Sequence, residues 1–281
     1  MKRKKLIGKI IQNLVRIILV VITLIPFYVS VIYSIKYKNE ITINHLAWPK
    51  NPTLENYVRV ITENEQFLVG LKNSILTTVP TILILMVVCS MVAWVLARNN
   101  SRFYQIMYTV FTLGTLIPFQ CIMLPLYLNL YNANLISTNI GFVIARSGLQ
   151  ISISILVITS FVKTVPRELE EAAAIDGSNF THTLWTIILP ICRPILTTVA
   201  IIQVFSCWNE FSFALVLLKN VSLQTVPLAL TQFKGQFASD YPKQMAAMLI
   251  TMAPVVVLYF AFRSEERRVG KECRSRWSPY H

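Results

Sequence analysis

Charge is what this sequence has least of. Only 14% of its 281 residues are Asp, Glu, Lys or Arg, against about 25% in an ordinary globular chain. Hydrophobic residues make up 54%, and mean hydropathy is +0.56. A water-soluble domain could not hide that much apolar surface, and a disordered chain would not contain it. Glycine is scarce too, with eight residues that form neither G-x-x-x-x-G-K-[ST] nor G-x-G-x-x-G. The chain therefore has no phosphate cradle of its own. His45, His182 and His281 are isolated, and no H-E-x-x-H occurs. No catalytic residue and no metal ligand is expected. The five cysteines, Cys89, Cys121, Cys192, Cys207 and Cys273, show no C-x-x-C spacing, so neither a zinc site nor a disulfide framework is indicated. What abounds instead is one long apolar run after another, the composition of an integral membrane protein.

The net charge of +13 needs dividing. The stretch Arg263–His281 follows the apolar Val255–Phe262 run abruptly and holds six of the 26 basic and three of the 13 acidic residues. It reads like the in-frame translation of a sequencing-library adapter and is set aside as a non-native tail. A basic tail on the membrane surface is the alternative. The rest of the chain carries +10.

A helix crossing a roughly 30 Å hydrocarbon layer needs about 20 apolar residues. Scanning between charges predicts six spans near residues 17–35, 73–97, 103–128, 141–162, 194–218 and 244–262. The third and fourth come from one nearly charge-free run that the polar segment Asn129–Asn139 divides. Orientation follows from Lys and Arg in the short loops. Residues 1–16 contain Lys2, Arg3, Lys4, Lys5, Lys9 and Arg16 with no acid, which predicts a cytoplasmic N-terminus. Six spans then put Arg98, Arg102, the 163–193 loop and the C-terminus on the same side. The expected fold is thus all-α, with six transmembrane helices, both termini cytoplasmic and a permease domain over 17–262. The outer loop 36–71 has room for a short strand or helix.

The 163–193 loop is the most informative stretch. It reads Val165-Pro-Arg-Glu-Leu-Glu-Glu-Ala-Ala-Ala-Ile-Asp-Gly177 and runs on to Ile187-Ile-Leu-Pro190. Pro166 suits a first helical turn, and Glu168, Glu170 and Glu171 favour the positive end of a helix dipole. Gly177 permits a left-handed stop. Leu184, Ile187 and Ile188 recur at helical spacing, and Pro190 is expected to close a second short helix. The prediction is a pair of short cytoplasmic helices between spans four and five.

The pattern E-A-A, three residues, Gly, nine residues, I-x-L-P is met at Glu171-Ala-Ala173, Gly177 and Ile187-Ile-Leu-Pro190. On it the chain resembles the permease subunits of bacterial ABC importers, and the maltose-type carbohydrate subfamily in particular. Further matching pieces are Lys72-Asn-Ser74, Ile117-Pro through Pro125-Leu-Tyr127, Trp208-Asn-Glu-Phe211, and Thr225-Val-Pro-Leu-Ala229 to Phe233-Lys-Gly235. The resemblance implies a bacterial cytoplasmic membrane protein without enzymatic activity. Its partners would be a second permease, an ATPase dimer that alone binds ATP and Mg²⁺, and an extracytoplasmic solute-binding protein. Membrane lipid surrounds it, and no nucleic acid is involved. The implied ATPase-coupling residues are Glu171, Ala172, Ala173, Asp176, Gly177, Leu189 and Pro190. Sugars are the implied solutes, with glycerol phosphate or other polyols as the alternative.

Span five carries polar residues where lipid disfavours them. With Pro194 taken as the inner surface, Gln203 would lie about 13 Å up and Glu210 about 24 Å up. Gln203, Trp208, Asn209 and Glu210 are therefore expected along the solute path, Gln203 having the alternative of an interhelical hydrogen bond. An ion-coupled transporter would want paired ionisable groups at the midplane or an internal repeat, and a membrane scaffold would need no polar path. Neither a midplane pair nor a repeat is visible.

Overall fold

Charge-free runs became long helices. A computed structural model describes residues 2–233 and 240–276, with side chains for 9–233 and 240–261. Lys234 and Gly235, the side chains of Lys2–Lys5 and those of the tail from Arg263 lie outside that description. Among the described residues there is no strand. The helices are α1 (Lys2–Ser34), α2 (Lys38–Ile43), α3 (Glu55–Glu63), α4 (Glu65–Arg98), α5 (Arg102–Gly114), α6 (Phe119–Asn132), α7 (Asn139–Val162), α8 (Glu168–Ile175), α9 (Phe180–Thr183), α10 (Leu189–Trp208), α11 (Ser212–Leu217), α12 (Val226–Ala229) and α13 (Tyr241–Arg276). Five helical stretches are long and apolar enough to cross a membrane, or six if α5 and α6 count as one broken span.

Three expectations need correction. The third span is not one helix: α5 stops at Gly114, α6 starts after Pro118, and the two bend by 103°. Pro118 brings no N–H to continue the ladder, and a charge-free sequence carries no other mark of the break. The fifth span does not run to Leu218. Its helical stretch is Phe180–Trp208, and α11 is a separate piece beyond the Asn209–Phe211 elbow. Nor does Pro190 close a helix. A π turn over Leu184–Ile188 joins α9 to α10, with the Leu189 N–H bonded to Leu184 O, and Pro190 falls in the first turn of α10. Pro190 has no N–H to give, and the helical stretch passes through it directly after the π turn. Pro194 is likewise inside α10.

The chain forms two compact units, Met1–Leu68 with Ala229–Ala253, and Val69–Leu228 with Pro254–His281. In the first, the 36–71 loop is helical and tied to the end of α1. Asn56 Nδ2 donates to Ser34 O and Lys36 O, both at 2.9 Å, and Tyr57 shares a 2.7 Å bond with Ser34 Oγ. Lys36 is buried, its Nζ donating to Asn44 O at 2.8 Å.

In the second unit α7 is the central element, buried at both ends. Its C-terminal half contributes Ile155, Ile158 and Val162 to a cluster with Leu85, Cys89 and Ala93 of α4 and Cys192 and Val199 of α10. Its N-terminal half puts Phe142 and Ala145 against Leu130 of α6 and Phe213, Ala214 and Leu217 of α11. Lipid is as apolar as these side chains, so such contacts hold helices together by packing and not by excluding water. Polar bonds then fix the register. Asn73 Nδ2 reaches Ser222 O at 2.9 Å, and Ser74 Oγ accepts from the Val226 N–H at 2.9 Å. Two of the sequence pieces singled out for resemblance, around Asn73 and Thr225, therefore meet in space.

Candidate functional site

Between α7 and α10 the chain builds a short projecting knob. Arg167 precedes α8, whose first turn holds Glu168, Glu170 and Glu171, near the positive end of its dipole. The helix ends in a Schellman turn: Gly177 N–H donates to Ala174 O at 3.1 Å and Ser178 N–H to Ala173 O at 2.9 Å, with Gly177 at φ +82. Asn179 then caps α9 by accepting from the His182 N–H at 2.8 Å. Ser178 Oγ bridges to Thr183 Oγ1 at 2.8 Å. The C-terminus of α8 and the N-terminus of α9 are thus each capped within the turn that joins them.

The coupling candidates divide on this scaffold. Glu171, Ala172, Asp176 and Gly177 are exposed, whereas Ala173 is buried. Ala173, Asp176 and Gly177 line a groove of about 360 Å³ with Ser178, Asn179, His182 and Ile187. Leu189 and Pro190 belong instead to the start of α10. Sequence reasoning passed over Ile175, an apolar side chain 86% exposed at the tip of α8. It also passed over Glu170, which differs from its neighbours in being held: Arg98 Nε and Trp94 Nε1 donate to its two oxygens at 2.8 and 3.0 Å. Trp94 and Arg98 lie one turn apart on α4, and that i, i+4 pair at a span's end was the available signal.

The four path candidates have different surroundings. Gln203 is 2% exposed, and its Nε2 donates to Ser154 Oγ at 3.0 Å, the interhelical bond that was the alternative reading. Trp208 is buried. Asn209 is exposed, with Nδ2 bonded back to Phe205 O at 3.0 Å. Glu210 forms an ion pair with Arg146 at 2.9 Å and accepts the Phe213 N–H at 2.9 Å. Arg146 itself, absent from the sequence candidates, also donates to Ser206 O at 2.9 Å and Ser206 Oγ at 2.7 Å. The group clamps the α10–α11 elbow to α7.

Comparison with known proteins agrees with this architecture. Residues 87–271 match the family model described as binding-protein-dependent transport system inner membrane component, a match that runs into the segment set aside as a tail. The chain is 31% identical over 258 residues to the probable starch degradation products transport system permease protein AmyC of Thermoanaerobacterium thermosulfurigenes, covering 92% of this chain and 93% of that one. It is 32% identical to the multiple sugar-binding transport system permease protein MsmG of Streptococcus mutans, covering 86% and 88%. Among solved structures, a chain of a bacterial ABC transporter involved in the import of the acidic polysaccharide alginate superposes with a TM-score of 0.84 at 20% identity, covering 92% of this chain and 96% of that one.

Proposed function

The chain belongs to the binding-protein-dependent transport system inner membrane component family, and on that premise we propose that it is one permease subunit of a bacterial carbohydrate ABC importer. It is a transport subunit and not an enzyme. The carbohydrate reading is supported by relatives named for starch degradation products and multiple sugars. Two permease chains enclose the path in the cytoplasmic membrane, with both termini of this chain inside. An extracytoplasmic solute-binding protein delivers the sugar. ATP and Mg²⁺ belong to a separate ATPase pair, and this chain holds no cofactor.

The observation that carries the coupling role is the knob, α8 to α9, capped at its central turn, with acidic Glu171 and Asp176 and apolar Ile175 all exposed around its tip. A rigid projection with both charge and apolar area suits a protein cleft better than solvent. Glu171 pairs a basic group of the ATPase, Ala172 and Ile175 give close contacts, and Ala173 packs inward. Asn209, the exposed member of the path candidates, faces the outer mouth, with Glu210 held behind it.

A cysteine in place of Asp176 tests the arrangement. It should react with an impermeant maleimide only in inside-out vesicles and be shielded when the ATPase is bound. Labelling only from outside the cell overturns the coupling role.

A further inference from the structure

Exposed residues make the knob's surface, but its position is set from α4. Arg98, the last residue of α4, donates from Nε to Glu170 Oε1 at 2.8 Å, and a terminal nitrogen makes an ion-pair contact with the same oxygen at 2.7 Å. It also donates to Val165 O at 3.0 Å. Trp94, one turn earlier, donates to Glu170 Oε2 at 3.0 Å and stacks on Phe180, the first residue of α9, with centroids 4.4 Å apart and planes at 23°. Arg167 returns a bond to Arg98 O at 3.2 Å.

One turn of α4 therefore holds three places: the segment leading into α8, the first turn of α8 and the start of α9. The Arg98–Glu170 pair is mostly shielded, at 13% and 16% side-chain exposure, so water and salt weaken it little. Both charges also lie at favourable dipole ends, Arg98 at the C-terminus of α4 and Glu170 in the first turn of α8. The far side of the knob is anchored separately, through the π turn, whose Leu184 and Ile188 pack into the cluster of α4, α7 and α10; without the clamp it is the first turn of α8 that would lose the side-chain bonds tying it to α4.

We propose that Arg98 and Trp94 are positioning residues for transport: they lock the knob to the end of α4 as one rigid body, so that displacement of the knob passes into α4 and is not absorbed in its linkers. The proposal rests on the coupling role argued above.

The test uses the assembled importer with its ATPase and binding protein in liposomes. Retention of the ATPase on tagged permease reports docking, and sugar moved per ATP hydrolysed reports transmission. Arg98→Ala should retain the ATPase yet lose about tenfold or more in sugar per ATP, within the range of ordinary allosteric couplings. Arg98→Lys keeps the charge but not the planar fork that also reaches Val165 O, and should recover part of the loss. Trp94→Phe, which keeps the stack and loses the N–H, should lose less than Arg98→Ala and decides the matter if that variant does not fold. Wild-type sugar per ATP in Arg98→Ala and Trp94→Phe overturns the proposal. So does loss of ATPase retention in these variants in step with transport, which would make the clamp a support for docking alone. Failure of the unmutated chain to retain the ATPase instead strikes the coupling role itself.

Discussion

Substitution at Gly177 separates two reasons for a glycine. Its φ is +82, and the N–H bonds of residues 177 and 178 close α8. A Cβ added there would meet no atom within 4 Å. Space is not the constraint; the backbone is. Holding an ordinary L-residue in the left-handed region costs roughly 1–2 kcal/mol, and less for Asn. Ala should therefore cost the backbone strain alone, since its Cβ has nothing to strike. Val should cost more, being β-branched. Pro fixes φ near −65° and removes the donor to Ala174 O, which together cost about 3 kcal/mol or more. Because 1–2 kcal/mol is a factor of about 5–30 in a population, and apparent affinity scales with the competent fraction, Ala should weaken ATPase binding by up to that factor. Titrating solubilised permease with labelled ATPase measures it, with membrane insertion checked separately. The expected order of affinity is Gly, Asn, Ala, Val, Pro. Asn falling below the smaller Ala refutes the backbone argument; a flat series refutes any role for the turn.

Other substitutions test the scaffold. At Gly141 the reasoning reverses: a Cβ would lie 2.1 Å from Leu135 O, which Thr138 Oγ1 already holds at 2.8 Å. The helix-propensity gain of Ala, about 1 kcal/mol, should lose to overpacking worth about 1–3 kcal/mol or more, so Gly141→Ala should lower the denaturation midpoint in mixed micelles; a rise would refute it. Arg146→Met strands the partly buried Glu210 carboxylate and should cost about 3 kcal/mol. Adding Glu210→Gln, which keeps an acceptor for the Phe213 N–H, should recover more than 1 kcal/mol of that, whereas additivity within about 0.5 kcal/mol would show no coupling. Glu63 lies below its ordinary value of 4.5, chiefly through its hydrogen bond from Lys243. A depressed acid adds stability that is whole above the unfolded value and lost as pH falls through the folded one, so protection of α3 from hydrogen exchange should weaken below about pH 4.5. Lys243→Ala should reduce that dependence to the smaller part that Arg59 supplies.

Much of this was legible from the order of residues, and the misses have physical causes. Apolar length announces a span because the hydrocarbon layer sets a minimum, so α1, α4, α7 and α13 were predictable. A bend of 103° at Pro118 was not, because prolines inside α4 and α10 leave those helices continuous. What separates the cases is whether neighbouring groups absorb the lost bond, and that is tertiary. The π turn before Pro190 is of the same kind. Within the knob, Glu168, Glu170 and Glu171 all satisfy the same dipole argument. Only Trp94 and Arg98, more than 70 residues earlier, single out Glu170 as held and leave Glu171 free to face outward. Gln203 was a costly polar group in a span, which correctly predicts a partner, but sequence cannot say whether that partner is solute or Ser154.

The scarcity of charge then acquires a meaning. Apolar packing in lipid is non-directional and leaves the angle between helices loosely set, since lipid can replace a side chain at little cost. A shielded ion pair adds little net stability over an apolar isostere, yet breaking it is expensive, so it defines a geometry more than it supplies energy. Arg98 with Glu170 and Arg146 with Glu210 lie at two of the places where the second unit interrupts its helices, the knob before α10 and the elbow after it. Elsewhere in these helices uncharged side chains suffice because the backbone ladder already fixes direction. At these two interruptions a guanidinium with several donors takes over, reaching carboxylate and backbone carbonyl together in both cases. Lysine, a point charge on a flexible stem, could meet the carboxylate but not hold both partners in one plane.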